Sequence, residues 1–164
     1  MKEMRPTTGK VLLALFNILG PVYDRSFLDL FSGSGQVSIT AARKGAAPVV
    51  SVESERKRQA EIAKKAPSGV ESLCMDVRRA VQRFSKKGES FDVVFADPPY
   101  ELGWGKEFPK LIEKYSDIVS EEGVIVFEHS DREEAADLSA ENWEREDRAY
   151  GKTVLTFYRR RRSE

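Results

Sequence analysis

The sequence predicts an α/β fold in which a mostly parallel β-sheet carries helices on both faces. Short apolar segments of five or six residues alternate along the chain with longer segments that have the spacing of amphipathic helices. The apolar segments are nearly continuous, which is typical of parallel strands that are buried on both faces. In such a sheet, ligands bind beyond the carboxyl ends of the strands, where the strand order reverses.

The first half of the chain begins with an expected helix at about 7–19, which has a threonine near its start and Gly20-Pro21 at its end. Three expected strands follow, and each is succeeded by a helical segment. The strands are 27–31, 48–53 and 70–75, and the helices are 36–45, about 54–66 and 76–87. In the last of these helices the apolar residues fall on one face, which is the face expected to pack on the sheet.

The second half continues the alternation and ends with an antiparallel pair of strands. The expected elements are a strand at 91–96, a helix at 108–119 and strands at 124–129, 142–149 and 152–160. Tyr150-Gly151 is expected at the turn between the last two strands, and 159–164 forms a basic C-terminal tail. No repeat or linker divides the chain, so we expect one domain over 1–164.

The composition excludes several classes of protein. The 164 residues include 27 Lys and Arg and 27 Asp and Glu, so the formal net charge is zero. The chain therefore lacks the overall positive charge that would indicate a nucleic acid partner. Cys74 is the single cysteine and His129 the single histidine, which leaves no intrachain disulfide and no Cys/His zinc site. The longest apolar stretch, 11–16, is too short to span a membrane, and no signal peptide is recognisable. We therefore expect a cytoplasmic monomer with no metal ion and no membrane partner.

The turn after the first strand, Ser32-Gly33-Ser34-Gly35, has the G-x-G spacing of a nucleotide-binding turn. Glycine allows a tight strand-to-helix turn and a close approach of the backbone to a ligand. Glu53 ends the second strand, where an acid can accept hydrogen bonds from both hydroxyls of a ribose. Each feature alone has a structural explanation, but together they favour a nucleoside site.

Two further acids bear on which nucleoside is bound. Asp29 would add negative charge near the phosphates of a dinucleotide, and Ser38 stands where that motif usually has its third glycine or alanine. Asp29 instead suits a ligand with a cationic amino acid end, such as S-adenosylmethionine. Asp76 ends the third strand and could accept a hydrogen bond from an adenine amino group. It is at least as well explained as the N-cap of the following helix, and the two roles are compatible.

The segment Asp97-Pro98-Pro99-Tyr100 closes the fourth strand and carries the predicted chemistry. Proline lacks an N–H and restricts the residue before it, so the pair ends the strand and holds a stiff loop. The exocyclic amino group of guanine or adenine is a poor nucleophile because its lone pair is delocalised into the ring. The carboxylate of Asp97 and the carbonyl of Pro98 could each accept one amino hydrogen and so aim that lone pair at an electrophile. Tyr100 would stack on an unstacked base, which is worth about 1–3 kcal/mol.

These motifs, in this order and spacing, resemble those of the RsmD-type 16S rRNA guanine-N2 methyltransferases. The similarity covers about 4–158 and rests on RPTTGKVLLALFNIL, DLFSGSG and FADPPY. It implies a Rossmann-like class I methyltransferase fold with a seven-stranded sheet, S-adenosylmethionine as cofactor, and 16S rRNA or a small ribosomal subunit particle as partner. By the same resemblance 97–100 receives the target base. With Asp29 included, the expected cofactor-binding residues are Asp29, Ser32, Gly33, Ser34, Gly35, Glu53, Asp76 and Val77.

Contacts to RNA are expected around this site and at the C-terminus. Arg5 and Thr7 lie in the matched N-terminal motif, and Trp104, in the loop beyond Tyr100, could close over a base. Further positive charge, which would give salt-sensitive phosphate contacts, comes from Arg56, Lys57, Arg58, Arg78, Arg79 and the run Arg159 to Arg162. Family members usually carry a basic hairpin before the Arg-Pro-Thr motif and a more polar helix after it, whereas MKE precedes that motif here. These departures are expected to affect RNA binding more than methyl transfer.

Three alternatives remain open. An amino-methyltransferase that acts on another rRNA or on DNA adenine would use 97–100 equally well. A nicotinamide-dependent dehydrogenase would use Gly33, Gly35 and Glu53 but gives 97–100 no role. A non-catalytic ribosome-assembly protein could have kept the fold, although the acid and the tyrosine of 97–100 are intact.

Overall fold

The computed structural model describes residues 8–100 and 102–162 and has helices on both faces of a β-sheet. The predicted RNA-contacting residues Arg5 and Thr7 therefore lie outside the described residues. In chain order, the elements are α1 (Gly9–Leu19), β1 (Phe27–Leu30), α2 (Gln36–Arg43), β2 (Val49–Glu53), α3 (Arg56–Lys65), β3 (Val70–Cys74), α4 (Val77–Lys86), β4 (Phe91–Ala96), α5 (Trp104–Lys114), β5 (Val119–Ser130), β6 (Trp143–Tyr150) and β7 (Thr153–Arg160). A 3₁₀ turn, Ser116–Ile118, leads into β5.

The strand order within the described sheet is β3-β2-β1-β4-β5-β7-β6. Strands β1 to β5 run parallel, β7 is antiparallel to β5, and β6 is antiparallel to β7. The predicted fold class, a mostly parallel seven-stranded sheet closed by an antiparallel strand, is confirmed. The strand order reverses between β1 and β4, so the carboxyl ends of these two strands mark the expected position of a ligand site.

Two hydrophobic layers hold the helices on the sheet. On one face, α1 and α2 pack on the central strands, and Leu15 and Phe27 are fully buried. On the other face, α4 and α5 pack on the same strands, and the fully buried rings of Phe108 and Phe127 lie 5.0 Å apart. Each such side chain stabilises the fold by about 1.5–3 kcal/mol. Because side chains alternate along a strand, Val126 of β5 faces the first layer and Phe127 the second.

Helix α5 begins four residues before the predicted start at 108 and ends at Lys114 rather than 119. Gly103, with φ 85°, forms its N-cap, and Pro109 lies inside the helix. Proline cannot donate to the carbonyl four residues before it. That carbonyl belongs to Gly105, and the Ala136 N–H donates to it at 2.8 Å. A contact from a distant segment thus allows the helix to continue through the proline, which sequence pattern alone did not indicate.

The C-terminal half of the sheet differs from the prediction at β5 and at the last turn. Strand β5 spans 12 residues rather than 124–129, and its register shifts because Phe91 pairs with Val119 but Val93 pairs with Val124. The irregular segment between these pairs, Ser-Glu-Glu-Gly, resembles a turn in sequence. For this reason the sequence analysis did not predict that β5 begins at Val119. Tyr150 belongs to β6, so the turn to β7 is 151–152 rather than Tyr150-Gly151.

The sequence analysis assigned Arg159 and Arg160 both to the last strand, 152–160, and to a basic C-terminal tail, 159–164. Arg159 and Arg160 belong to β7, and the Arg160 guanidinium lies 4.6 Å from the ring centroid of Trp143. Arg160 also donates to the carbonyls of Ser116 and Val119. The side chain of Arg161 donates to the Ala140 carbonyl at 2.7 Å and to Glu144 Oε1 at 3.0 Å. These arginines therefore join β6 and β7 to neighbouring segments.

Candidate active site

A cleft of about 670 Å³ opens at the carboxyl edge of the sheet, next to the reversal of strand order between β1 and β4. This volume lies within the range of small-molecule sites. The walls are formed by the turn after β1, the ends of β2 and β3, the segment after β4, and the end of β5 with the β6–β7 turn. The predicted site residues that line it are Asp29, Ser32, Gly33, Ser34, Glu53, Asp76, Val77, Asp97, Pro98, Pro99, Tyr100 and Trp104.

The turn after β1 contains three residues with positive φ. These are Phe31, Gly33 and Gly35, with values of 60°, 56° and 81°. The Gly33 N–H donates to Glu53 Oε1 at 2.9 Å, which ties the turn to the end of β2. Gly35 does not line the cleft but forms the N-cap of α2, where an added Cβ would lie 2.9 Å from Cγ1 of Ile62. Gly35 therefore serves the close packing of α3 on the turn.

Glu53 is a buried carboxylate rather than a solvated one, since only 6% of its surface is exposed. Its two oxygens accept hydrogen bonds from the N–H groups of Gly33 and Glu55, each at 2.9 Å. These bonds orient the carboxylate at the cleft wall. Because a carboxylate oxygen has a second acceptor position, Glu53 retains capacity for the hydroxyl groups of a ribose.

Asp29 is the most enclosed acid of the cleft wall and is 1% exposed. Its Oδ2 accepts from the hydroxyl and the N–H of Ser38 at 2.5 and 3.1 Å. Burial raises the pKa of Asp29 to about 7, although the hydrogen bonds from Ser38 oppose this shift. Ser38, which departs from the dinucleotide pattern at its third position, is thus the hydrogen-bonding partner of Asp29.

Asp76 has the capping role that the sequence suggested as an alternative. Its Oδ1 accepts from the N–H groups of Arg78 and Arg79 at 2.9 and 3.4 Å, and α4 begins at the next residue, Val77. Asp76 and Val77 also line the cleft. Both capping bonds use Oδ1, so the position is compatible with a second role toward a ligand.

The segment 97–100 lines the cleft beside the turn after β1, because β4 is the neighbour of β1 in the sheet. The Asp97 N–H donates to the Leu30 carbonyl at 3.4 Å, which continues the β1–β4 pairing by one residue. Pro98 is buried and Pro99 is exposed, whereas Asp97 and Tyr100 are half-buried. Strand pairing therefore holds Asp97 at the cleft, which the two prolines and Tyr100 also line.

Trp104 is not in a loop, as predicted, but is the first residue of α5 and is 8% exposed. Its ring meets Phe31 edge-on, with centroids 4.8 Å apart, and the Arg78 guanidinium lies 4.2 Å from its centroid. These contacts form a fixed part of the wall. Trp104 therefore lacks the freedom expected of a residue that closes over a base, and Arg78 is engaged with the protein.

The cleft is also lined by residues that the sequence analysis did not identify as site residues. Phe31 belongs to the turn after β1, whereas Glu128, Ser130, Arg132 and Lys152 lie on the far wall, at the end of β5 and at the β6–β7 turn. Glu128 was recognisable in principle, because an acid inside an apolar strand is rarely buried without a specific role. Arg132 and Lys152 give no such signal, since single exposed cations are common in any chain.

His129 holds the loop that carries part of this wall. Its Nδ1–H donates to the Glu133 carbonyl at 2.7 Å, and its Nε2 lies 2.7 Å from Thr156 Oγ1. The side chain is 4% exposed. The histidine therefore has a structural role in shaping the loop after β5.

The charged residues of the cleft are mostly acids. They are Asp29, Glu53, Asp76, Asp97, Glu128 and Asp131, against the cations Arg58, Arg132 and Lys152. Arg58 lies in α3 on the glycine-turn side and pairs with Glu55 at 3.3 Å. Arg132 and Lys152 are exposed on the opposite side, and the Asp131 N–H donates to the Lys152 carbonyl at 2.9 Å. Arg132 and Lys152 thus bring positive charge to the far rim, where Asp131 is also exposed, and Asp29, Glu53 and Glu128 are buried acids of the cleft wall.

Across 8–100 and 102–162, no three His, Cys, Asp or Glu side chains are arranged to hold a metal ion. In the same ranges no helix combines the length and the apolar character needed to cross a membrane.

Comparison with known proteins gives concordant matches. The family model described as conserved hypothetical protein 95 matches residues 1–159. The chain is 31% identical over 167 residues to "Putative rRNA methyltransferase YlbH" of Bacillus subtilis (strain 168), which covers 96% of this chain and 88% of that protein. It is 28% identical over 160 residues to "Ribosomal RNA small subunit methyltransferase D" of Escherichia coli (strain K12), with coverage of 96% and 80%. A solved structure described as "Putative methyltransferase yhhF from Escherichia coli" superposes with a TM-score of 0.84 at 25% identity, with coverage of 96% and 88%.

Proposed function

Since this chain belongs to the conserved hypothetical protein 95 family, we propose that it transfers a methyl group from S-adenosylmethionine to ribosomal RNA. Membership of the family confirms the resemblance to the RsmD-type proteins. The finer assignment is the exocyclic N2 amino group of a guanine in 16S rRNA, presented in a small-subunit particle. The observation that carries the proposal is that a single cleft is lined both by the glycine turn with Glu53 and by 97–100.

The residues on the glycine-turn side suit the cofactor. Glu53 offers carboxylate oxygens to the ribose hydroxyls, and Asp76 offers one to the adenine amino group. Gly33, at φ 56°, brings backbone without a side chain to the cleft surface. Asp29 supplies a carboxyl group for the cationic amino acid end. When bound, S-adenosylmethionine supplies an electrophilic methyl group on its sulfonium centre.

The residues of 97–100 suit an amino group on a base. Asp97 accepts one amino hydrogen and the carbonyl of Pro98 accepts the other, which directs the nitrogen lone pair toward the cofactor side. Tyr100 stacks on the base and contributes about 1–3 kcal/mol of binding. The nitrogen becomes acidic once it is alkylated and releases its proton to water, so Asp97 acts by orientation and need not be a strong base.

The distribution of charge supports an RNA strand at the far rim. A polyanion would be repelled by the acids of the cleft interior and attracted by cations at its edge. Arg132 and Lys152 are exposed there, on the side of the cleft away from Arg58 and the glycine turn. We infer that they contact the phosphates next to the target nucleotide and hold the strand while its base enters the cleft.

Transfer of labelled methyl groups from S-adenosylmethionine tests the proposal. The acceptors are unmethylated small-subunit particles, free 16S rRNA and DNA, and the products are digested to nucleosides for identification. We expect N2-methylguanosine from the particles with the wild-type protein and none with Asp97→Ala. Glu71→Ala, which removes an exposed acid on the edge strand β3, is the matched control and should retain activity.

Each contrary outcome points to one of the alternatives. A methylated adenine would keep the proposed chemistry and overturn the guanine assignment. Tight binding of a nicotinamide dinucleotide in place of S-adenosylmethionine would indicate a dehydrogenase. Binding of S-adenosylmethionine without transfer to any acceptor would contradict the enzymatic assignment and favour a ribosome-assembly protein.

A further inference from the structure

A second acid stands beside Asp97 on the neighbouring strand. In the β4–β5 pairing, Phe95 is opposite Val126 and Ala96 is opposite Phe127, so the next position along brings Glu128 next to Asp97. Matched residues of neighbouring parallel strands point to the same face, and the strands lie about 4.8 Å apart. Both acids line the cleft. Continued by one residue, this register puts two acids at neighbouring positions of the cleft wall.

The burial of Glu128 indicates a specific role for it. The residue is 4% exposed and follows four apolar residues of β5 that are fully or almost fully buried. Glutamate is seldom buried in this way, because removing a charged group from water is costly unless other groups of the protein compensate, and Glu128 has such an interaction. A carboxylate has several acceptor positions, so an acid at the cleft wall can also accept a hydrogen bond from a ligand.

The chemistry of the purine edge explains what a second carboxylate would do. Guanine carries two neighbouring donors, the N1–H and the N2 amino group, and adenine carries an amino group beside N1, which is an acceptor. The carboxylate of Asp97 recognises only the amino group, and both bases carry one. A carboxylate opposite N1 accepts a hydrogen bond from guanine but faces the lone pair of adenine, and sites built to bind a substrate N–H strongly reject analogues that lack it.

We propose that Glu128 accepts a hydrogen bond from the N1–H of the target base and thereby selects guanine over adenine. The inference rests on the proposed function, since it assumes that a base enters beside Asp97. A contact from Glu128 to N1 would also explain how the site distinguishes guanine from adenine, because 97–100 alone suits either purine. Glu128 is then a specificity-determining residue that contacts the substrate, and methyl transfer itself follows the course already described.

Three nucleotides separate the two recognition contacts. Guanosine monophosphate has both the N1–H and the N2 amino group, and inosine monophosphate lacks only the amino group. The 2-aminopurine ribonucleoside monophosphate keeps the amino group but has an acceptor at N1 and no O6, so a Glu128→Gln variant isolates the contact at N1. Their binding is measured by titration in the presence of S-adenosylhomocysteine with the full chain. We expect the wild-type protein to prefer the guanosine nucleotide to the 2-aminopurine nucleotide by roughly 10- to 100-fold.

Glu128→Gln tests the residue with a nearly isosteric change. The amide of glutamine can donate to an acceptor at N1, so we expect the preference for guanosine over 2-aminopurine to fall to within about threefold. The preference for guanosine over inosine, which depends on Asp97, should remain. Glu134→Gln applies the same chemical change to an exposed acid outside the cleft and is the matched control.

The outcomes distinguish this inference from the proposed function. Equal binding of the guanosine and 2-aminopurine nucleotides to the wild-type protein would overturn it without any variant, as would an unchanged preference in a folded Glu128→Gln protein. Failure of all three nucleotides to bind would also overturn it. Glu128-dependent selection of guanosine, with no methyl transfer to any RNA, would support the inference and contradict the proposed activity.

Discussion

The two edges of the sheet use charged side chains in opposite ways. At the carboxyl edge, the acid Glu53 accepts backbone N–H groups and is held at the wall of a cleft. At the opposite edge, cations bind backbone carbonyls, as Arg160 does with Ser116 and Val119. The first arrangement leaves acceptor capacity that faces a cavity, whereas the second directs a guanidinium nitrogen at backbone carbonyls of the protein. The carboxyl edge is therefore suited to bind ligands, and the opposite edge is suited to hold the sheet together.

This difference shows that the density of charge in a sequence is a poor guide to the functional edge. The run from Arg159 to Arg162 is the most basic stretch of the chain, yet Arg160 and Arg161 are occupied by internal contacts. The cations Arg132 and Lys152 are 20 residues apart in sequence. They lie at the same rim of the cleft because β7 pairs with β5. Strand topology, rather than composition, decides which charges can reach a substrate.

Neutralising one acid at each edge of the sheet should give the largest difference in methyl-transfer rate. Asp97→Asn replaces an acceptor oxygen by a donor at the proposed amino-group contact, so we expect the methyl-transfer rate to fall about 1,000-fold. Glu144→Gln weakens an exposed ion pair with Arg161 and should change the rate less than about twofold. Rates and cofactor affinity are measured for both variants on the same particles. Equal reductions in rate would contradict the functional difference between the edges.

Asp29 should make stability depend on pH at the carboxyl edge. Its native pKa of about 7 lies above the ordinary value of 3.8, so the folded chain holds a proton that the unfolded chain releases above about pH 4. The stabilisation is present below pH 3.8 and is lost as the pH rises to about 7, with a slope of up to roughly 1.4 kcal/mol per pH unit. Urea unfolding across this window should be less dependent on pH in Asp29→Asn. The same pH dependence of the free energy of unfolding in the wild-type protein and the variant would contradict a raised pKa of Asp29.

Asp92, at the start of β4 on the opposite edge, should show the opposite sign. Partial burial acts to raise its pKa, but hydrogen bonds from Ser26 and Ser120 outweigh burial and lower the pKa below 3.8. This stabilisation is present above pH 3.8 and is lost as the pH falls through the lowered pKa. Asp92→Asn should therefore lower the free energy of unfolding by about 1 kcal/mol at pH 7 and by less in acid. A destabilisation that does not change with pH would contradict the assignment.

Removing cations from the two edges should give the smallest effect. The double variant Arg132→Ala with Lys152→Ala should weaken binding of 16S rRNA severalfold at moderate salt. It should also reduce the slope of log Kd against log salt by about 0.7 for each phosphate that the protein no longer neutralises. Arg161→Ala with Arg162→Ala removes the same charge from the opposite edge and should leave both quantities nearly unchanged. A larger effect of the second pair would place the RNA at that edge instead.

Local pattern predicted the parts of the molecule that short-range interactions decide. Strand β4 has the predicted bounds, and α4 lies within one residue of them at each end, because Asp76 caps the helix and one apolar face packs on the sheet. The glycine turn and 97–100 were recognisable for the same reason. Positive φ and an Asp-Pro-Pro strand end are properties of consecutive residues. Their common location followed from the rule that parallel strands end at one edge.

Distant contacts decided the features that the prediction missed. Helix α5 continues through Pro109 because Ala136 supplies the donor that the proline lacks. Trp104 became part of a wall because α5 starts early enough to place it against Phe31. In both cases the stabilising partner lies well outside any window of sequence that could be read as one helix or loop.

The sequence by itself determined the order of strands and helices along the chain, the glycine turn after β1, and the position of 97–100 at the end of a strand. These depend on periodicity, capping and the restricted dihedral angles of glycine and proline. Only the tertiary structure decided that Glu128 lies beside Asp97 and that the C-terminal arginines face inward contacts. The position of Glu128 depends on strand register, and the positions of the arginines depend on backbone carbonyls of distant segments. Neither is encoded within a short stretch of chain.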